Sequence, residues 1–194
     1  IKGLIRNGEI DLFKNYNLNN LDLIFKIQNN ILNIEDVKFS LNKIDFLSKK
    51  ITLIKKDEEY FVEGKLDSKN IKYDKTDLKK ILLKNIMGPN FNSISFNTKN
   101  IFSFKLDKKM KFKSLKYYSD IEINEMFFDN SFNLQSFFPG VKDSLIFKDH
   151  KIKIDYNKNN LFLEGSGKVL IQEKIDKVNY QVNKKNQKYD FKTQ

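Results

Sequence analysis

The chain has 194 residues, of which 40% are hydrophobic, 13% aromatic and 31% charged, and its formal net charge is +11. This apolar content excludes general disorder, and the absence of cysteine excludes disulfides, thiolate metal sites and a cysteine nucleophile. No run approaches the roughly 18 apolar residues of a membrane-spanning helix. We interpret the chain as a segment of a larger protein, with any signal or anchor elsewhere.

The excess of lysine favours anionic partners such as lipid headgroups, nucleic acid or acidic glycans. The lysines are scattered every two or three residues and form no compact block. The charge is therefore more typical of a solvated strand face on which lysine discourages edge-to-edge aggregation than of a binding site for an anionic partner.

Apolar and polar residues alternate with a period of two along most of the chain, which predicts half-buried β-strands. Polar turn signals rich in asparagine separate these strands at residues 28–30, 56–58, 157–160 and 184–187, and Asn7-Gly8 could form a tight type I′ hairpin. The sequence therefore predicts a mainly β fold in the form of a long antiparallel meander. The alternating runs are, in chain order, residues 21–27, 37–41, 51–53, 60–66, 102–106, 121–123, 152–156, 178–182 and 189–191.

One helix, at about residues 76–88, is predicted within the meander, with Thr76 as its N-cap. Four apolar residues fall on one face of this helix, and a glycine and a proline then end it. A second, shorter helical turn is predicted at residues 133–138. Either helix could plug the end of a sheet or serve as a connector packed on the core. The residues concerned in the first helix are Leu78, Ile81, Leu82, Ile86, Gly88 and Pro89.

The chain also repeats itself. Residues 44–64 (IDFLSKKITLIKKDEEYFVEG) align without gaps on residues 145–165 (LIFKDHKIKIDYNKNNLFLEG), and both end in aromatic–aliphatic–Glu-Gly. A repeated hairpin suggests an assembly in which each strand pair is stabilised mainly by its neighbours. Chance similarity in a biased composition is the alternative. We predict a single segment, 1–194, with related portions at about 1–75 and 99–194 joined by the helical insert 76–88.

Few residues suggest catalysis or metal binding. His150 is the only histidine, and we expect it to lie in a solvated turn beside Asp149, because acid–base catalysis and zinc binding both need partners. The acidic runs lack calcium-loop spacing. Gly165-Ser166-Gly167-Lys168 is followed by alternating residues and not by a helix, so we expect a bulge, a bend or a close backbone approach there and no phosphate loop. We predict no enzymatic activity, no cofactor and no metal.

Basic and aromatic residues interleave at residues 108–113 (KKMKFK) and on to Tyr117-Tyr118. Such a segment could stack on and neutralise single-stranded nucleic acid. It carries no recognisable nucleic-acid-binding signature, and a strand with apolar residues inside and lysines outside explains it more simply. We therefore expect no nucleic-acid partner.

Many strands with large side chains on one face, and almost no helices to cover that face, require the sheet to roll up, to meet another sheet or to bind a ligand. Four stretches of this kind resemble the AsmA-like proteins of Gram-negative bacteria, especially the YhdP-like and TamB-like members. The stretches are residues 1–13, 42–66, 145–171 and 175–191.

The resemblance implies a meander curled into an open, taco-like groove in the periplasm, anchored to the inner membrane through a segment outside this chain and reaching towards the outer membrane. Phospholipid would move along the groove, its acyl chains held by inward-facing side chains. The alternative is a structural or adhesive β-solenoid or sandwich with a closed core. The side chains predicted to line the groove are Leu23, Phe25, Phe39, Ile51, Leu53, Phe102, Phe104, Ile152, Ile154, Val178 and Tyr180.

Overall fold

The computed structural model describes residues 1–13, 16–77, 91–129, 140, 144–171, 174–186 and 188–194. These residues form one antiparallel sheet of eleven strands, whose order in the sheet is their order in the chain. The sheet stays open, which confirms the prediction of a mainly β, open antiparallel meander. The strands are β1 (Lys2–Phe13), β2 (Tyr16–Gln28), β3 (Ile31–Leu41), β4 (Ile44–Lys56), β5 (Glu59–Asp74), β6 (Phe91–Leu106), β7 (Phe112–Asp129), β8 (Ser144–Asn157), β9 (Asn160–Leu170), β10 (Ile175–Lys185) and β11 (Lys188–Thr193).

Two-residue turns connect several of the strands, as the asparagine-rich signals predict. Asn29 and Asn30 both have positive φ values, of 48° and 61°, and Lys158 and Asn159 have values of 46° and 69°. Positive φ at both central residues matches the twist of the flanking strands in a hairpin. The predicted turns at residues 28–30, 56–58 and 157–160 are confirmed, whereas that at 184–187 includes residue 187, which lies outside the described residues.

The predicted hairpin at Asn7-Gly8 is wrong. Both residues lie inside β1, where the pairing with β2 shifts between Ile5 and Gly8. Asn7 has a φ of 51°, and its N–H donates to the side chain of Asp22 at 2.8 Å. Asn7 therefore lies at a β-bulge, which, like a hairpin turn, accepts asparagine in the left-handed conformation.

Similar irregularities cross the sheet from strand to strand. The pairing shifts between Asp22 and Ile24 against β3, between Leu47 and Ile51 in β4, and between Ser68 and Ile71 in β5. β7 and β8 have equivalent shifts. Bulges bend a strand, and a row of them at neighbouring positions forms a crease across the sheet. The residues at bulges with positive φ are Asn7, Asn20, Asp36, Asn70, Ser114 and Asp149.

Only the start of the predicted helix lies within the described residues. Residues 75–77 are helical, and the carboxylate of Asp74 accepts hydrogen bonds from the N–H groups of Thr76 and Asp77, both at 2.8 Å. Asp74 is therefore the N-cap in place of Thr76, because its side chain reaches the free N–H groups of the first turn. Residues 78–90 and the second predicted helical turn at 133–138 lie outside the described residues.

The two aligned segments form hairpins with the same strand pairing. Ile51 pairs with Gly64 in β4–β5, and Ile152 pairs with Gly165 in β8–β9. Both hairpins also contain a bulge just before this pair. The gapless alignment of residues 44–64 on 145–165 therefore corresponds to an equivalent arrangement of backbone pairs.

Among the described residues, no second layer packs on the sheet, because every strand contacts only its neighbours in the strand order. The largest buried cluster is small and consists of Ile71 and Tyr73, with four partly buried residues around them. No helix in the described part of the chain is long and apolar enough to span a membrane. Among the described residues, the apolar side chains are therefore concentrated on one face of the sheet.

Candidate functional site

The strand pairing defines two faces. Paired residues share a face, so the row Phe25, Ile34, Ile51, Gly64 and Phe102 runs across five strands on the same side. We call this side the apolar face. The row continues through aromatic and aliphatic residues to β9.

All the side chains predicted to line a groove lie on the apolar face. The bulges make this possible: in β3, Ile34 precedes Asp36 and Val37 follows it, and the extra residue brings both apolar side chains to the same side. Without the bulges, the alternation would change faces halfway along the strand. The residues concerned are Leu23, Phe25, Phe39, Ile51, Leu53, Phe102, Phe104, Ile152, Ile154, Val178 and Tyr180.

The opposite face, which we call the polar face, carries cross-strand ion pairs. Lys153 and Glu164 are 3.1 Å apart, and Lys148 and Glu125 are 3.2 Å apart. Exposed pairs of this kind stabilise a fold only slightly. A depression of about 960 Å³ lies mainly on this face, but lysines, carboxylates and amides are mixed along its walls. The polar face therefore presents no uniform ligand chemistry.

The buried side chains of the described residues all lie on the apolar face, many of them next to a bulge. Val37 is 4% exposed and Ile123 is 5% exposed, although no described residue lies over either strand. Burial among the described residues is therefore confined to one face of the sheet. The buried residues are Leu21, Val37, Ser48, Val62, Ser68, Ile71, Tyr73, Asn100, Leu106, Ser119, Ile123, His150 and Val169.

Aromatic rings lie directly over glycines on the apolar face. A Cβ atom added to Gly165 would lie 2.1 Å from the ring of Tyr180, and one added to Gly64 would lie 2.8 Å from the ring of Phe102. Of the alternatives expected at residues 165–168, the structure shows a close approach to the backbone, made by the rings of Tyr180 and His150. The repeated Glu-Gly ending of the two hairpins is the sequence signal of this packing, which flattens large rings against the floor of the groove.

A hydrogen-bond network that the sequence did not reveal crosses the apolar face at Asn100. Its carbonyl oxygen accepts from the hydroxyls of Tyr117 at 2.7 Å and Ser119 at 2.8 Å. Its amide nitrogen donates to the carbonyl of Leu66 and to Thr98 Oγ1, both at 2.9 Å. The network joins β5, β6 and β7. All four hydrogen bonds of the Asn100 side chain are made within it, so this amide has no free donor or acceptor for a ligand.

The expectation of a solvated His150 is wrong. His150 lies inside β8 and is 2% exposed, with its ring 5.3 Å from that of Phe147 and 6.2 Å from that of Tyr180. His150 alternates in step with Ile152 and therefore lies on the apolar face, over Gly167, and the bulge at Asp149 brings Phe147 to the same face. Neither ring nitrogen has a hydrogen-bond partner among the described residues, and burial lowers the pKa of this imidazole.

The basic segment 108–113 is also arranged differently from the expected continuous strand. Residues 107–111 form the turn between β6 and β7, and only Phe112 and Lys113 belong to β7. Tyr117 pairs with Phe102 on the apolar face, whereas Tyr118 pairs with Ile101 on the polar face. The two tyrosines therefore do not form a one-sided stacking surface.

Within the described ranges, no group of three or more histidine, cysteine, aspartate or glutamate residues could hold a metal ion. The chemistry that the apolar face does offer is the burial of aliphatic and aromatic surface. Comparison with protein-family models, curated proteins and solved structures finds no match. The resemblance to AsmA-like proteins therefore stays a prediction.

Proposed function

We propose that this chain is a segment of a bridge-like lipid carrier whose apolar face binds the acyl chains of phospholipids. The observation that carries the proposal is an apolar face built by strands from β1 to β11 and left uncovered by the described residues. An exposed apolar surface of this extent marks a site for a partner or a ligand.

The dimensions of the sheet suit an extended apolar ligand. Eleven strands at about 4.8 Å spacing give a face about 50 Å across the strands. Each Å² of apolar surface removed from water contributes about 25 cal/mol, so an acyl chain lying across several strands would be held without any hydrogen bond. Binding by burial alone also lets a chain move along the face.

The proposed setting is the periplasm, with attachment to the inner membrane and contact with the outer membrane made by parts outside this chain. The role is one of binding and transfer and includes no catalytic step, cofactor or nucleic acid. The competing proposal is a structural or adhesive domain whose apolar face is closed by protein. Lipid content distinguishes the two.

The test is native mass spectrometry of the purified chain combined with lipid extraction from the same sample. We expect co-purifying phospholipid, and we expect Phe104→Asp to reduce it several-fold, because a carboxylate on the apolar face would have to be desolvated next to an acyl chain.

The matched control is Ile101→Asp. Ile101 lies in the same strand as Phe104 but on the polar face, where it is 45% exposed, and its replacement should leave the lipid content unchanged. Circular dichroism would establish that both variants are folded. A stable, lipid-free wild-type chain, or equal lipid loss in both folded variants, would contradict the proposal and favour a closed structural domain.

A further inference from the structure

The turn between β6 and β7, with the first residues of β7, forms a preorganised projection that we call the β6–β7 tip (residues 107–113). The carboxylate of Asp107 accepts hydrogen bonds from the N–H groups of Lys109 at 2.8 Å and Lys111 at 3.0 Å. The backbone carbonyl of Asp107 accepts a hydrogen bond from the N–H of Met110 at 2.8 Å, and the N–H of Asp107 donates to the carbonyl of Lys111 at 3.1 Å. The hydrogen bonds from Lys111 and Lys109 to the carboxylate lower the pKa of Asp107, and all four bonds together brace the turn.

The tip exposes two large apolar side chains. Met110 is 60% exposed and Phe112 is 70% exposed. The ring of Phe112 lies 4.7 Å from that of Phe104, which lies 5.9 Å from that of Phe102. The exposed ring is therefore the outer end of an aromatic row that continues onto the apolar face.

Lysines surround these apolar side chains. Lys108 pairs with Glu58 at 3.3 Å, and Lys113 lies 3.8 Å from Glu59. Lys109 and Lys111 flank Met110 and pair with no carboxylate among the described residues. Their charges are therefore available to an external anion.

We propose that the β6–β7 tip docks on the surface of a bilayer that contains anionic phospholipid. Met110 and Phe112 would enter the boundary between headgroups and acyl chains, while Lys109 and Lys111 would lie at the level of the phosphates. An exposed thioether and a single exposed ring suit this boundary better than they suit a nucleic-acid strand, which needs successive stacking surfaces. This inference does not depend on lipid binding by the apolar face.

The chain contains no tryptophan, so Phe112→Trp places a single fluorescent reporter at the tip. We expect its emission to shift to the blue on mixed phosphatidylcholine–phosphatidylglycerol vesicles and to remain unshifted with pure phosphatidylcholine or with single-stranded oligonucleotide. The matched control is Ile175→Trp, because Ile175 is 62% exposed at the start of β10, at the opposite end of the strands from the tip. We expect no shift from it.

Vesicle co-sedimentation measures the two parts of the interaction separately. Replacing both Lys109 and Lys111 by Gln should weaken partitioning into the anionic vesicles about tenfold or more, since each basic residue near such a surface contributes about 1 kcal/mol. Met110→Ser should weaken it as well. Replacing Lys174 and Lys177 by Gln, at the opposite end of the strands, should have little effect on partitioning.

Three results would overturn the proposal: an unshifted Phe112→Trp spectrum on anionic vesicles, partitioning that is unchanged by the Lys109/Lys111 replacement, or a blue shift with oligonucleotide alone. Phe25 lies on the apolar face in β2, four strands away from β6, so Phe25→Asp should lose bound phospholipid yet still bind vesicles. Failure of docking and failure of acyl-chain binding are therefore distinguishable.

Discussion

His150 has lost its contact with water without gaining a hydrogen bond among the described residues. It is surrounded by Phe147, by Ile123 of β7, by Gly167 of β9 and by Tyr180 of β10. Such a site accepts a neutral imidazole and disfavours a charged one, because burial in apolar surroundings penalises the ion.

We therefore predict that the free energy of unfolding decreases as the pH falls below about 6.5, the ordinary pKa of histidine. The folded pKa is lower than the unfolded pKa, so the unfolded chain binds more protons between the two values and acid favours it. Above this window the contribution is constant. Urea unfolding from pH 8 to pH 5 measures the effect, which is about 1.4 kcal/mol for each unit of pKa difference.

Two other titrating groups near His150 bear on this experiment. Asp149 is adjacent and pairs with Lys168 at 2.7 Å, which lowers the pKa of Asp149, and burial raises the pKa of Tyr180. Neither group titrates near pH 6. The control is His150→Phe, which keeps a ring over Gly167. An identical pH dependence in this variant would show that the decrease originates elsewhere.

At the scale of the strands, the row of bulges decides which side chains face the groove. Asp36 is an exposed bulge residue in β3 with a φ of 50°. Aspartate and asparagine tolerate this left-handed conformation, glycine adopts it without steric cost, and β-branched residues rarely adopt it.

We predict that Asp36→Val destabilises the chain by about 1–2 kcal/mol, through the steric cost of left-handed backbone, while Asp36→Gly changes stability by much less. Urea denaturation of the two variants measures the difference. If valine and glycine have the same effect, the bulge at Asp36 does not require left-handed backbone in solution, and the parity change in β3 must have another cause.

The sequence predicts the strands and the apolar face because alternation is a local signal, visible around Phe25 or Phe104 without knowledge of the partner strand. It predicts the bulges poorly, because aspartate and asparagine are abundant in turns as well as in bulges. The only local sign of the bulge at Asp36 is the change of parity between Ile34 and Val37. The expectation that His150 is solvated is wrong because it places the residue in a turn, whereas β8 is continuous there and His150 alternates in step with Ile152.

The Asn100 network could not be predicted at all, because it depends on register across three strands. Asparagine is common throughout this chain, and nothing local distinguishes Asn100 from the residues of the turns. Its partners Tyr117 and Ser119 become its neighbours only once β6 and β7 are paired. Long-range pairing of this kind is set by the whole sheet.

The described sheet is a one-dimensional series of strands, since each strand in it contacts only its neighbours. In such an arrangement stability is close to a sum of local terms, so regions open separately and with different free energies. β11 has six residues, all of them exposed, and pairs on one side only. We expect its amides to exchange with solvent before those of the central strands.

This arrangement leads to a prediction for Asn100→Ala, which removes the hydrogen-bond partners of Tyr117, Ser119 and the Leu66 carbonyl. Leaving these buried groups unsatisfied should cost about 1–3 kcal/mol. Native-state hydrogen exchange should show that loss in β5, β6 and β7, with protection in β1, β2 and β10 nearly unchanged. Ser103→Ala, in the same strand but on the polar face, is the matched control. An equal loss of protection in every strand would show instead that the sheet unfolds as one cooperative unit, and that additivity along the series does not hold.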